Sequence, residues 1–252
     1  METISRTTHT LYKPFSDNVT ETRSSKKGRM EGKGYRLEPI TTRDSSQVIQ
    51  FLRKFFFKDE PLNICVGLLD EPGSTCIELE TYCLDSIPDG VSLMAVSPDN
   101  EMLGVCINGV LRREENDKSN DKEDDLQNCT NQKFKKILNL LTTVGKDSDV
   151  FGQFPEIDSC VEIRVVSVDD ACRGQGIAKA FFDQTKKVAK EQGYPLVKVD
   201  CTSHYSAMAV SRLGFHCIYT LNYSDHLDEE GKPVFVPEPP HACVKTYVMH
   251  VN

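Results

Sequence analysis

A turn with two glycines, placed between a β-branched strand and an amphipathic helix, constrains the fold of this chain more than any other feature. Residues 165–178 read VVSVDDACRGQGIA. Glycine lets the backbone approach a ligand closely and turn its N–H groups inward, and the following helix adds the positive end of its dipole. The segment therefore predicts a turn that binds phosphate.

Other classes of protein contain comparable turns. A dinucleotide-binding turn needs a third small residue for close helix packing, but Lys179 stands there, and no clear βαβ unit surrounds the strand. A Walker phosphate loop is excluded because no Gly-Lys-Ser/Thr closes the turn. A strand-to-helix turn whose glycines serve only steric needs fits Gly174 and Gly176 about as well. The turn alone therefore leaves a purely structural role open.

The length and composition are those of an ordinary globular protein. The 252 residues, 38% hydrophobic and 27% charged, allow one sizeable domain with insertions or two smaller domains. No apolar run approaches the roughly 20 residues that span a bilayer, and the first residues lack the apolar stretch of a secretory signal. The ten cysteines are dispersed without a Cys-x-x-Cys pair, which predicts reduced thiols and a cytoplasmic location.

The charge of the chain bears on its partners. The formal net charge of −8 at pH 7 argues against nucleic acid, which requires a basic surface, and is compatible with a small cationic substrate. The six histidines are scattered and form no ligand-spaced set with cysteines, so no metal site is expected. No membrane partner is expected either.

Two polar segments stand apart from the periodic pattern. Residues 1–33 are rich in Ser, Thr, Lys and Gly, so we expect a flexible N-terminal tail. Residues 113–131 form an acidic insertion, for which we expect a solvated loop. The remaining residues, within 34–252, are expected to form a single domain.

The periodic segments predict a mixed α+β fold around one sheet. Tyr35–Ile40 alternates like an opening strand, and apolar residues over 48–55 follow helical spacing and should stop before Pro61. The spacing Thr75-x-x-Glu78 predicts a capping box at the start of a second helix. Val91–Ser97 and Met102–Leu111 are expected to be two strands of a hairpin. After it we expect a helix, a strand that leads into the glycine turn, a helix, a strand, a helix and two closing strands. Helices are expected on the faces of the sheet.

Separated segments of the chain resemble one family. Phe55–Asn63 reads FFFKDEPLN, Arg173–Ala178 reads RGQGIA and Cys201–Ser206 reads CTSHYS. In this order they resemble the insect arylalkylamine N-acetyltransferases of the GCN5-related superfamily, and residues 231–241 are similar as well. The resemblance reaches from about Tyr35 to the C-terminus. It implies an α+β fold with a central, mostly antiparallel twisted sheet flanked by helices.

The resemblance also implies that the glycine turn binds acetyl-CoA as the acetyl donor and that no metal takes part. Main-chain amides of the turn would hold the diphosphate, and the N–H at the Val168 position would stabilise the thioester oxygen. The residues implied in acetyl-CoA binding are Val166, Ser167, Val168, Arg173, Gly174, Gln175, Gly176, Ile177 and Ala178.

Attack by the acceptor amine requires a general base. Such an amine is mostly protonated at neutral pH and must lose a proton before it attacks a thioester. A carboxylate can take this proton directly or through one water. The family's general base falls on Glu60, within Lys-Asp-Glu-Pro-Leu-Asn. From the residues alone, an ordinary charged helix end is the alternative, and Asp59 would serve it equally well.

Two hydroxyl residues are the other catalytic candidates. The family places serines where this chain has Thr202 and Ser206, and the resemblance implies that they act with the glutamate and on the departing CoA thiolate. Residues four apart share a face if both lie on one helical turn. Because threonine adds a methyl group, Ser206 is the better match. Helix capping by Thr202 or Ser203 is the alternative.

The function implied by the resemblance is acetylation of small arylalkylamines, such as dopamine, serotonin, octopamine, tyramine and tryptamine. No cysteine stands out as an acyl carrier, so we expect direct transfer in a ternary complex, carried out by a monomer. The aromatic run Phe55–Phe57 would pack the ring of the substrate or belong to the core. Acetylation of polyamines or of protein and peptide amines is an alternative, and so is a non-catalytic acyl-CoA-binding module.

Overall fold

The computed structural model describes residues 34–71, 73–113 and 126–251. The predicted tail over 1–33 lies outside the described residues, as does most of the predicted acidic loop over 113–131. In the part of the chain that is described, no helix is long and apolar enough to cross a bilayer.

The core of the fold is a seven-stranded sheet with the order β1-β2-β3-β4-β5-β7-β6. Every neighbouring pair is antiparallel except β4 and β5, which are parallel. This confirms the predicted mixed α+β class and its mostly antiparallel sheet. The strands are β1 Arg36–Pro39, β2 Leu93–Val96, β3 Met102–Arg112, β4 Ser159–Val168, β5 Leu196–Cys201, β6 His216–Asn222 and β7 Cys243–His250.

Helices cover both faces of the sheet. Two large apolar clusters separate the layers: one packs the sheet against α1, α3 and α4, and the other packs it against α6 and α7. The named α-helices are α1 Ser45–Phe55, α2 Pro61–Cys65, α3 Ile77–Leu84, α4 Gln132–Asp147, α5 Val150–Gln153, α6 Ile177–Glu191 and α7 His204–Arg212, and residues 126–128 are also helical.

Several local predictions are confirmed and one is wrong. The hairpin of β2 and β3 forms as expected, and Pro61 begins α2 after an extended Glu60. The capping box at Thr75 and Glu78 does not form, because Cys76 is the N-cap of α3 and makes no side-chain capping bond. The Glu78 carboxylate instead accepts hydrogen bonds from the Thr130 hydroxyl and the Asn131 N–H, which connect it to the segment before α4.

One extra residue interrupts the pairing of β4. Ile107 of β3 lies opposite Val165 and Asn108 lies opposite Ile163, so Arg164 forms a one-residue bulge. A bulge bends its strand and increases the local twist. On its other edge β4 pairs with β5 from Val161 to Ile163 alone, so this parallel pairing ends at the bulge.

The bulge also changes the face of the sheet toward which the odd-numbered side chains of β4 point. Before it, Val161 and Ile163 pack in the cluster beneath α6, and after it Val165 packs in the cluster beneath α1. Side chains of a regular strand alternate strictly, and the extra residue breaks that alternation. Ser167 then faces α1, where its hydroxyl donates to the Phe55 carbonyl at 3.2 Å.

Candidate active site

A cavity of about 490 Å³ lies between α3, α4 and the sheet face formed by β4 and β5. Its helix side is mostly apolar and includes Leu79, Phe134 and Ile137. Its sheet side carries charged residues, and Glu60 and Thr202 also line it. The cavity therefore combines an apolar wall with a carboxylate, which suits a molecule that has an apolar body and a cationic end.

Glu60 is held at the N-terminus of α2. Its Oε2 accepts the Asn63 N–H at 2.8 Å, which caps the helix. Its Oε1 accepts the Thr202 hydroxyl at 2.9 Å, although the two residues are 142 positions apart in the chain. Both donors are neutral. The Asn63 side chain is buried and donates to the Phe57 carbonyl at 3.0 Å, which fixes the loop before Glu60.

The environment of Glu60 shifts its pKa upward. Burial disfavours the charged carboxylate and raises the pKa, while the hydrogen bonds from Asn63 and Thr202 oppose the shift without cancelling it. A general base works best when its pKa lies near the operating pH, so an upward shift suits a glutamate to that task.

The two hydroxyl candidates occupy different settings. Thr202 lies in the link between β5 and α7, so it does not share a helical turn with Ser206. Ser203, rather than Thr202, is the N-cap of α7, and its hydroxyl accepts the Ser206 N–H at 3.0 Å. The Ser206 hydroxyl donates to the Ser203 carbonyl at 3.0 Å. The structure thus brings Thr202 to Glu60 and leaves Ser206 bonded within its own helix turn.

A tyrosine that the sequence reasoning did not single out braces Thr202. The Tyr223 hydroxyl donates to the Thr202 carbonyl at 2.6 Å, and the ring is buried against Phe235. Burial, together with the negative charge of Glu60, raises the pKa of Tyr223, which keeps its hydroxyl protonated and able to donate. No local sequence pattern could reveal this contact, because it joins residues on separate elements.

The glycine turn lies open to solvent after β4. Gly174 and Gly176 have φ values of +79° and +78°, and no atom lies within 4 Å of the position that a Cβ would take at either residue. Their role is therefore conformational, and the space above them is free for a ligand. Gly176 is also the N-cap of the 15-residue helix α6. These features fit the diphosphate of an acyl-CoA.

Arg173 joins the turn to the loop that carries Glu60. Its guanidinium contacts the Asp170 carboxylate at 2.6 Å and the Asp59 carboxylate at 3.5 Å. All three side chains are largely exposed, so the pairing can open when a phosphate competes for the guanidinium. Gly174, Gln175, Gly176 and Ala178 also reach the surface, whereas the side chains of Ser167 and Ile177 are buried.

A second feature missed by the sequence reasoning is an ion cluster on the sheet side of the cavity, formed by Glu162, Arg164, Lys198 and Asp200. Lys198 Nζ lies 2.6 Å from Glu162 Oε1 and 2.5 Å from Asp200 Oδ2. Burial opposes the charge on Lys198, but the two carboxylates outweigh it and raise the pKa of the ammonium. The available signal was the alternation of charges along two otherwise apolar strands.

Comparison with known proteins assigns this fold to a family. A model of the acetyltransferase (GNAT) family matches residues 149–215, which contain β4, the glycine turn, α6, β5 and α7. The structure of arylalkylamine N-acetyltransferase 2 from Aedes aegypti is similar at 38% sequence identity and a TM-score of 0.80, covering 87% of this chain and 100% of that one. The chain belongs to the insect arylalkylamine N-acetyltransferase-like members of the GNAT family.

Other relatives of this GNAT protein act on different amines. A Drosophila melanogaster polyamine N-acetyltransferase, which forms N-acetylagmatine, is 28% identical with a TM-score of 0.76, covering 86% of this chain and 99% of that one. An agmatine N-acetyltransferase in its apo form is 27% identical, also with a TM-score of 0.76, covering 86% and 100%. The family therefore establishes an N-acetyltransferase acting on amines, with several classes of small amine among its members.

The donor of this GNAT enzyme follows from its family, which uses acetyl-CoA. Val166 and Val168 pack on the α6 side of β4, next to the glycine turn. Beyond Ile163 this stretch is not paired with β5, so its main chain can hydrogen-bond an extended ligand arm. Within residues 34–71, 73–113 and 126–251, no three or more His, Cys, Asp or Glu side chains are grouped to hold a metal ion.

Proposed function

We propose that this enzyme acetylates small arylalkylamines, with Glu60 as the general base. The observation that carries the proposal is the setting of Glu60: a half-buried carboxylate with two neutral hydrogen-bond donors, on a cavity whose helix side is apolar. The carboxylate is available to an ammonium group, and the apolar wall suits an aromatic ring. Dopamine, serotonin, octopamine, tyramine and tryptamine all have this form.

Glu60 would remove the proton that blocks attack. The protonated amine binds beside the carboxylate and transfers a proton to it, directly or through one water. The neutral amine then attacks the thioester carbonyl of acetyl-CoA. Thr202 donates to the carboxylate, so it favours the charged form that accepts the proton.

The remaining steps are assigned to β4 and to the start of α7. The main-chain N–H at Val168 would stabilise the negative charge that develops on the thioester oxygen. Collapse of this intermediate breaks the carbon–sulfur bond and releases the CoA thiolate, which takes up the surplus proton that the attacking nitrogen loses as it becomes an amide, so the products are the N-acetylamine and the CoA thiol. We propose that the Ser206 hydroxyl donates to the thiolate, for which it must turn away from the Ser203 carbonyl. Thr202 serves Glu60 in this scheme.

We propose direct transfer of the acetyl group from acetyl-CoA to the amine. All ten cysteines are free thiols, but burial raises the pKa of several of them to about 12, namely Cys83, Cys106, Cys160 and Cys201. A thiol with so high a pKa is a poor nucleophile at neutral pH. Double-reciprocal plots of initial rate against the amine concentration, at several fixed concentrations of acetyl-CoA, should intersect. Parallel lines would contradict direct transfer.

Polyamine acetylation is the second candidate function. Two relatives of similar fold act on polyamine or agmatine, and acidic side chains of this chain line the cavity. The choice between the substrate classes depends on whether those carboxylates are already paired with cations of the protein or are available to a second ammonium group.

A substrate panel tests the proposal. Release of CoA from acetyl-CoA is measured with tyramine, dopamine, serotonin, agmatine, putrescine and a lysine peptide, by chromatography because the exposed Cys217 would react with thiol reagents. We expect the arylalkylamines to have the highest kcat/KM. A preference for agmatine or putrescine would favour the second candidate, and no transfer to any amine would indicate a non-catalytic acyl-CoA-binding module.

The organisation of the chain is also part of the proposal. We propose that residues 34–252 form one acetyltransferase domain. We further propose that it acts as a cytoplasmic monomer. The dispersed, unpaired cysteines support a reducing compartment.

A further inference from the structure

The ion cluster on the sheet side of the cavity is built from two neighbouring parallel strands. Glu162 of β4 and Lys198 of β5 are directly opposite in register, and Asp200 follows two residues after Lys198 on the same face. The Lys198 side chain is only 3% exposed. A lysine so deeply buried is rare unless opposite charges pair with it.

Every carboxylate oxygen of the cluster already accepts from the protein. Glu162 Oε1 faces Lys198 and its Oε2 faces Arg164 Nε at 3.1 Å. Asp200 Oδ2 faces Lys198 at 2.5 Å and its Oδ1 accepts the Thr246 hydroxyl at 2.6 Å. Two anions are thus matched by two cations, and the cluster has no net charge.

The cluster lies within reach of an amine bound at Glu60. Thr202 touches Glu60, Asp200 precedes Thr202 by two residues, and Lys198 precedes Asp200 by two more. Each such pair of residues advances about 6.6 Å along an extended chain. The second cation of a four-carbon diamine or of agmatine, with its first nitrogen at Glu60, therefore falls near the Asp200 level.

We propose that Lys198 is a specificity-determining residue, which balances the charges of Glu162 and Asp200 and thereby disfavours acceptors whose second cationic group would reach these two carboxylates. This inference rests on the proposed function at Glu60 and adds the basis of substrate choice. The second charge of a dication would meet carboxylates that Lys198 and Arg164 already balance, so it would lose its water without gaining an unpaired anion. An arylalkylamine, whose far end is uncharged, does not have this cost.

The size of the effect follows from Coulomb's law. Two unit charges roughly 7 Å apart, at an effective dielectric constant of about 20, change a binding equilibrium about fiftyfold. Removal of the Lys198 charge should therefore raise kcat/KM for agmatine relative to tyramine by roughly ten- to fiftyfold. The tyramine value should change much less.

Lys198→Gln is the principal test, since the amide removes the charge and keeps hydrogen-bond donors for both carboxylates. Lys198→Arg retains the charge and should keep the wild-type ratio. Lys187→Met, which removes a charge from the exposed part of α6, controls for net charge and should also leave the ratio unchanged. A purely structural salt bridge predicts that Lys198→Gln lowers kcat/KM for both amines alike, and that result would overturn the inference.

A second variant covers the case in which Lys198→Gln does not fold. Asp200→Asn leaves Lys198 with one carboxylate, so the cluster becomes positive and the agmatine-to-tyramine ratio should fall severalfold. An unchanged ratio would again overturn the inference. The wild-type enzyme separates the two proposals. If it prefers agmatine to tyramine, the arylalkylamine function is refuted. If it prefers tyramine but neither variant changes the agmatine-to-tyramine ratio of kcat/KM, only the role of Lys198 is refuted.

Discussion

Glu60 and the ion cluster both present carboxylates to the same cavity, but the partners of these carboxylates differ. The Glu60 carboxylate accepts from a main-chain N–H and a hydroxyl, both neutral, and no cation in the described part of the chain pairs with it. The carboxylates of Glu162 and Asp200 are held by Lys198, and Glu162 also by Arg164. Their charge is balanced within the protein.

The difference shows that the partners of a carboxylate, rather than its presence, decide what it can do. Burial without a cation raises the pKa of Glu60 and leaves the group ready to take a proton. The cations beside Glu162 and Asp200 balance the charges of these two carboxylates, so neither is available to pair with an incoming ammonium group. One cavity can therefore contain several acids and a single general base.

The largest expected effect comes from Glu60→Gln. Loss of a general base lowers kcat/KM by about 10²- to 10⁴-fold, while the amide can still cap α2 and no longer carries a buried charge. We therefore expect a strong loss of activity with an unchanged or higher melting temperature, measured by initial rates and thermal unfolding. Asp59→Asn is the comparison variant. A loss of similar size in Asp59→Asn would contradict the assignment of the base.

The converse result is expected for Glu162→Gln. This change leaves Lys198 with one carboxylate and Arg164 without its charged partner, and breaking a buried pair costs about 3–5 kcal/mol of unfolding free energy. Tyramine turnover by the folded enzyme should change far less than in Glu60→Gln. Denaturant unfolding beside initial rates measures both. If Glu162→Gln abolished turnover without loss of stability, the division between the two regions would be wrong.

Thr202→Val sharpens the comparison through pH dependence. The Thr202 hydroxyl stabilises the ionised Glu60, so its removal should raise the pKa of Glu60 further. Activity requires the ionised base, and the acidic limb of the kcat/KM profile should therefore move to higher pH. Thr202→Ser keeps the hydroxyl and should leave the limb in place. A limb that does not respond to Thr202→Val would separate Thr202 from the base.

The smallest effect is expected for Tyr223→Phe. Without its hydroxyl the Thr202 carbonyl loses a donor, and the link that presents Thr202 to Glu60 becomes less fixed. The acidic limb should move in the same direction as in Thr202→Val, by less. Tyr219→Phe, which removes a bond to the exposed Asp147, is the matched control and should leave the profile unchanged. If the pH profiles of kcat/KM were the same for Tyr223→Phe and Tyr219→Phe, the Tyr223 hydroxyl would have no part in positioning Thr202.

The elements of the fold were predictable where the local pattern matched the final environment. The strand over 196–201 and the helix that starts at His204 form at the expected positions, because glycine and proline bound them and their apolar faces enter the core. The Glu78 capping box failed because a tertiary partner, Thr130, took its carboxylate. Local propensity gives way where a distant donor offers a better bond.

The site was predictable in part. Family-like segments marked Glu60 and the glycine turn, but the pairing of Glu60 with Thr202 depends on how two distant segments pack. The ion cluster escaped notice because charges that alternate along a strand usually indicate a face in solvent. Here that face closes a cavity, so Lys198 is buried, and only the three-dimensional arrangement distinguishes the two cases.

The bulge at Arg164 has a consequence for how this strand can evolve. Because Val161 and Ile163 point toward α6 while Val165 points toward α1, the two halves of β4 are one residue out of phase. Deleting Ile163 would shift the preceding residues by one position, which places Glu162 in the apolar layer beneath α6 and Val161 on the cavity face. We expect lineages of this enzyme to vary β4 by substitution, with length changes confined to the loops at its ends.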